Sequence, residues 1–161
     1  MKKKTLWIVV AAVVVLGIGT TLFHQRTPNE YAPAEDEIAL HIHMDTKEDI
    51  GLLVYDYTVE GHEYSGGISN ADGSMMKSES DHIVVWKKAE LQDPADGFEM
   101  TMQFRLITEY VTPNFENLYP DEITERLAPL SWEVHFGGSY AITITGDKIH
   151  GYEAELMENS P

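Results

Sequence analysis

His41 and His43 stand two apart, with Asp45 next at the same spacing, and alternate residues of a β-strand project to one side. Two imidazoles so placed can chelate Zn²⁺ or Cu²⁺ if a third ligand comes near. His135, on the polar side of another alternating run, is the candidate for that third position. Seven histidines in 161 residues make one such pair unremarkable, so the simpler reading is a polar strand face that carries histidines. No cofactor is expected.

Met100 and Met102 offer soft thioether sulfur, but they alternate with Phe98 and Phe104, which places them in a core rather than around copper. Asn70-Ala71-Asp72-Gly73 resembles part of a calcium loop. Counted from Ile68 as the first position, Glu79 falls at the twelfth, yet the first carboxylate is missing and Met75-Met76 interrupts the ligand run. A turn between strands accounts for it better. Trp86 and Trp132 could stack on a sugar, but both belong to apolar patterns and read as core. His62-Glu63 lacks the second histidine of a zinc-protease helix. The chain has no Gly-x-Ser-x-Gly, no phosphate-binding glycine loop and no cysteine. No catalytic residue is nominated.

These residues sit on elements with a period of two. Ile38, Leu40, Ile42 and Met44 form one apolar face, and Leu53, Tyr55, Tyr57 and Val59 form the next. Glu60-Gly61 reads as a tight hairpin turn into the run from His62 to Ile68. Ile83 to Trp86 is continuously apolar, as in a strand covered on both faces. Phe98, Met100, Met102, Phe104 and Leu106 make the clearest strand. Trp132, Val134 and Phe136, then Tyr140, Ile142 and Ile144, then Tyr152 to Leu156 complete the series. The long connection from Thr112 to Leu130 predicts a helical turn or two over Asp121 to Leu127, after Pro120 and two acids. The pattern predicts an all-β domain: an antiparallel β-sandwich, broadly immunoglobulin-like, with a small barrel as the alternative.

The N-terminus is built differently. Lys2, Lys3 and Lys4 precede an uncharged run from Thr5 to Phe23, which as a helix reaches about 28 Å and suits a bilayer core. Three lysines on the short side predict that this end stays in the cytoplasm and the remainder lies outside. A cleaved signal peptide is the competing reading, with weak cleavage points around Gly17 to Thr21. The expected organisation is a membrane anchor at 1–26, a stalk at 27–37, a domain at 38–157 and a tail at 158–161.

Charge narrows the partners. Four of the 11 basic residues precede position 27 and all 27 acidic ones follow it, which leaves seven against 27, a formal −20. Such a surface repels nucleic-acid backbones. The absence of cysteine excludes an acylated lipoprotein and disfavours a disulfide-pinned immunoglobulin domain, which points to a bacterial exported protein. The expected function is a non-enzymatic protein-interaction module at the outer face of the membrane, with an extracytoplasmic protein as partner. The alternatives are a metal- or ligand-binding accessory domain that uses the His41/His43 strand, and an exported hydrolase.

Overall fold

The computed structural model describes residues 31–116 and 120–157, which form nine strands joined by turns and two short 3₁₀ turns. The strands are β1 (Glu37–Thr46), β2 (Leu52–Val59), β3 (His62–Ile68), β4 (Glu79–Lys87), β5 (Gly97–Ile107), β6 (Thr124–Arg126), β7 (Leu130–His135), β8 (Ser139–Asp147) and β9 (Gly151–Met157). The predicted anchor at 1–26, the first part of the predicted stalk and the predicted tail at 158–161 lie outside the described residues. Glu37, the last residue of the predicted stalk, already belongs to β1, and Tyr31 Oη and Ala34 N both donate to its carboxylate.

The protein is all-β, with two sheets. The first has the order β4-β1-β8-β9, and the second the order β3-β2-β5-β6, with β7 pairing β5 as well. Alternation explains why the two sheets share a core. Ile38, Leu40, Ile42 and Met44 of β1 and Phe98, Met100, Met102, Phe104 and Leu106 of β5 are buried in one cluster with Leu53, Val59, Trp86, Trp132, Val134, Ile142 and Ile144. Both predicted core methionines of β5 are fully buried, as are most residues of the two clearest apolar faces. At one side Tyr57 stacks on Tyr64, with ring centroids 5.1 Å apart, and tilts against Trp86 at 5.3 Å. Burial pushes the Tyr57 hydroxyl up to about 12.

Three expectations need correction. The sheets are not wholly antiparallel, because β1 and β8 run parallel, with Leu40 opposite Tyr140 and Ile42 opposite Ile142. Inward–outward alternation is identical for either direction, so the pattern alone does not decide it. β4 is covered on only one face. It is an edge strand whose Val84 and Trp86 are buried, while Ile83 and Val85 sit half-exposed opposite His41 and Ala39. The expected helix over Asp121 to Leu127 is a 3₁₀ turn at Asp121–Ile123 that runs straight into β6. The open edge of β5 recruits this segment: Thr108 N donates to Ile123 O, and Ile107, Leu106 and Arg105 pair with Thr124, Glu125 and Arg126. Tertiary pairing overrides a weak helix-start signal.

The β8–β9 turn is closed by one side chain. Asp147 Oδ1 accepts from the backbone N–H groups of Ile149 and His150 at 2.8 and 2.7 Å, and the His150 ring also reaches its carboxylate. The bond from the His150 side chain, followed by the backbone donors, holds the Asp147 carboxyl down at about 2, below its ordinary 3.8. A carboxyl depressed on folding stabilises the fold fully above its unfolded value and loses that contribution as pH falls through its folded value. Asp147→Ala is therefore expected to melt below the parent at pH 7, with the gap closing between about pH 4 and pH 2. Melting curves across that range check this. A gap that persists undiminished at pH 2 assigns the effect to something other than the charged carboxylate.

Candidate binding face

The sequence-derived candidates separate between the two sheets. His41 and His43 do share the outward face of β1, where His43 Nδ1 lies 2.7 Å from Asp81 Oδ1 of β4. His135 is on β7, at the edge of the other sheet, opposite Gly97 and 3.4 Å from Glu133. Among the described residues no three His, Cys, Asp or Glu side chains gather closely enough to hold a metal ion. The Asn70–Ser74 loop is closed by its own bonds. Asp72 Oδ1 accepts from Ser74 N and Ser74 Oγ, and the Asn70 amide donates to Ser74 Oγ and Met75 O. Trp86 and Trp132 are both buried.

One serine–histidine contact bears on hydrolytic chemistry. Ser80 Oγ lies 3.0 Å from His82 Nε2 on β4, and the same hydroxyl donates to Lys77 O at 2.7 Å. With its proton on that carbonyl, Ser80 accepts from His82, the reverse of the polarity by which a base activates a nucleophile. Burial also holds the His82 imidazole below its ordinary value, against the pull of Asp81.

The face with the most built chemistry is the outer side of the second sheet, which sequence reading did not single out. Alternation sends Asp56 of β2, Ser65 of β3 and Gln103 and Arg105 of β5 outward. Arg105 grips Asp56 with two bonds, Nε to Oδ2 at 2.9 Å and Nη2 to Oδ1 at 3.2 Å, and Ser65 Oγ donates to Oδ1 at 2.7 Å. Partial burial raises the Asp56 carboxyl, but the Ser65 and Arg105 bonds outweigh it, and the carboxyl ends below its ordinary value. The Arg105 side chain is only 13% exposed, so this pair is part of the face and not a loose surface contact.

Two open grooves adjoin there and share Ser65. One, of about 530 Å³, is lined by Asp56, Thr58, Glu63, Tyr64, Thr101 and Gln103 among others. The second, of about 380 Å³, is floored by Leu52, Val54 and Gly67 and walled by Phe115 and Arg105. Thr101 Oγ1 and Ser131 Oγ bond at 2.8 Å across the β5–β7 pair, and Gln103 donates to Leu127 O, so neutral hydrogen-bonding groups line the approach.

No protein-family model matches the chain, and no curated protein matches it. Solved structures of similar shape include a disulfide-locked intermedilysin mutant with human CD59, at 12% identity and a TM-score of 0.40. They also include a non-hemolytic pneumolysin from Streptococcus pneumoniae strain ST306, at 11% and 0.40. Each match covers 77% of this chain and 24% of the other, so the chain spans about a quarter of those proteins' length.

The grooved face had faint signals in the sequence. Arg105 is the cation on the polar side of the strongest strand, and Gly66-Gly67 interrupts a strand with residues that weaken strands. Neither identifies a face until register sets Arg105 beside Asp56 and Gly67 beside Val54. Phe115 carried no signal at all, since it lies in an irregular connection.

Proposed function

We propose that this chain is a membrane-anchored, extracytoplasmic and non-enzymatic binding module, an immunoglobulin-like sandwich that uses the outer face of its second sheet to hold a protein partner. The observation that carries this reading is the pair of adjoining open grooves, the second of them walled by Phe115, which is 55% exposed. Shallow, open concavities of mixed polar and apolar lining suit a protein surface better than a small substrate, which enzymes enclose. Loop placement supports it too. The described chain starts beside the first residue of β1, and the Glu60–Gly61 and Gly137–Gly138 turns lie at that same end. Tyr110, Phe115 and Ile149, the three most exposed large hydrophobic residues among those described, stand on connections at the opposite end of the strands, while the less exposed Tyr31, Leu156 and Met157 lie toward the end where the described chain starts. The anchor rests on the sequence pattern from Lys2 to Phe23; among the described residues no helix is long and apolar enough to cross a membrane.

The test places a photoreactive benzoylphenylalanine at Thr58, on the grooved face, or at Thr143, on the outer face of the other sheet, in the full-length chain in cells. We expect one discrete protein adduct from Thr58 and none from Thr143, with the chain retained in membranes through an alkaline wash. Equal labelling from both positions, or none from either, would overturn the binding-face reading. Release by the wash would overturn the anchor.

A further inference from the structure

The second groove has a feature that the fold does not require. Gly66 and Gly67 are consecutive in β3, and only the first has a packing reason: a methyl group there would run into the Tyr55 ring. A methyl group on Gly67 would meet Leu52 Cδ1 and Leu53 O at 3.5 Å, an ordinary contact, and Gly67 is exposed with no left-handed backbone. Glycine within a strand weakens it and marks places where another group approaches the backbone closely. Bare backbone at Gly67 is what leaves Val54 half-exposed, beside the buried Leu52, as an apolar floor.

Phe115 forms the wall. Its backbone is left-handed, at φ 57°, which is costly for a bulky side chain. The turn that holds it has Phe115 N donating to Thr112 O at 2.8 Å and Glu116 N donating to Thr112 Oγ1 at 3.1 Å. A strained, exposed aromatic over an apolar floor is a seat for an apolar side chain.

The far end of the same row is cationic. Across the sheet Gly67 pairs Val54, Val54 pairs Arg105 and Arg105 pairs Arg126, so one row runs from bare backbone through an apolar residue to two guanidiniums. Like charges directly opposite each other destabilise a sheet. Here two of the seven basic residues after position 26 are so placed, with Asp56 the shared carboxylate within their influence. Asp56 occupies two of the five N–H groups of Arg105. Arg126 is exposed and forms no ion pair among the described residues.

Resting on the reading of the chain as a binding module, we propose that this groove takes the C-terminal residue of a partner polypeptide, with its large apolar side chain between Val54 and Phe115 and its free carboxylate on Arg105 and Arg126. Charge complementarity selects the occupant: Arg105 and Arg126 against the single Asp56 carboxylate leave a net positive charge at the end of the row beside an apolar seat, which matches a carboxylate carried on an apolar body. The formal −20 of residues 27–161 repels anions at long range, but that field is screened over about 8 Å at physiological ionic strength, and the guanidiniums act at contact.

The test titrates the full-length chain, in lipid nanodiscs, with fluorescein-Gly-Ser-Ala-Leu bearing a free C-terminal carboxylate, read by anisotropy. Saturable binding is expected, weakened about ten-fold by C-terminal amidation and to a similar degree by Arg126→Gln, since each removes a charge-assisted contact. Gly67→Val is expected to abolish binding while melting no lower than the parent, because valine favours strands and its Cβ meets only ordinary contacts there. Equal affinity for acid and amide, parent-like binding by Gly67→Val, or no saturation at millimolar peptide would each overturn the proposal. So would binding of sodium octanoate in place of the peptide, which would make the groove a fatty-acid site. If the peptide fails while the Thr58 adduct still forms, the module stands and only its ligand was misassigned.

Discussion

Met102→Asp is expected to leave the protein unfolded at room temperature. Met102 is fully buried on β5, opposite Tyr57 of β2 on one side and Leu130 of β7 on the other. A carboxylate there meets only apolar and aromatic neighbours, with neither water nor a cation to receive it. The cost is about 4 kcal/mol or more, comparable with the whole stability of a small domain. His43→Asp is the matched control, since His43 is half-exposed on the outer face of β1. That variant loses the His43–Asp81 contact and sets two carboxylates opposite each other, which costs roughly 1 kcal/mol at a solvated site. Urea unfolding curves followed by tryptophan fluorescence distinguish them. If both variants unfold at the same midpoint, the faces of these strands are exchanged and the register is off by one residue.

Gly51→Ala is expected to be nearly as damaging, for a different reason. Gly51 N donates to Ile107 O at 2.8 Å, which draws the loop before β2 against the end of β5. A methyl group on Gly51 would collide with the Glu109 carbonyl and crowd Ile107 O, and both obstacles are backbone. No side chain can swing away, so the β5 end must move or the bond must break, at about 2–4 kcal/mol. Gly61→Ala separates collision from conformation. Gly61 has φ 81° and nothing within 4 Å of a new methyl group, so it pays only for left-handed backbone, about 1–2 kcal/mol. Urea midpoints should therefore rank parent, Gly61→Ala, Gly51→Ala from most to least stable. A reversed order of the two variants would remove the close approach at Gly51 as a determinant of stability.

The proposed partner and the proposed ligand share the outer face of the second sheet. The Thr58 and Thr143 adducts ask whether that face is used. The peptide acid and its amide ask what it recognises. The Asp147 measurement is independent of both, since it concerns only how one exposed turn is held against acid.

The strands, and which way their residues face, were legible in the amino-acid sequence alone. Side-chain direction has a strict period of two, so Ile38 to Met44 or Phe98 to Leu106 announce a buried face without reference to any neighbour. Turn chemistry is equally local, and Glu60 and Gly61 do take the left-handed backbone of a tight hairpin. Which strands lie side by side depends on residues far apart in the chain, and that became visible only in the folded molecule. It set β8 parallel to β1 across nearly a hundred residues, left β4 at an edge, and drew Thr124–Arg126 onto β5 instead of into a helix. The same limit hid the grooved face. Asp56 and Arg105 are 49 positions apart, and Phe115 sits in an irregular connection, so no spacing along the chain brings them together. His135 shows the converse: its alternation was legible, but its strand belongs to the sheet that His41 and His43 do not share. Local periodicity fixes the face a residue takes, while the long-range pairing of strands fixes its company, and a binding site is made of company.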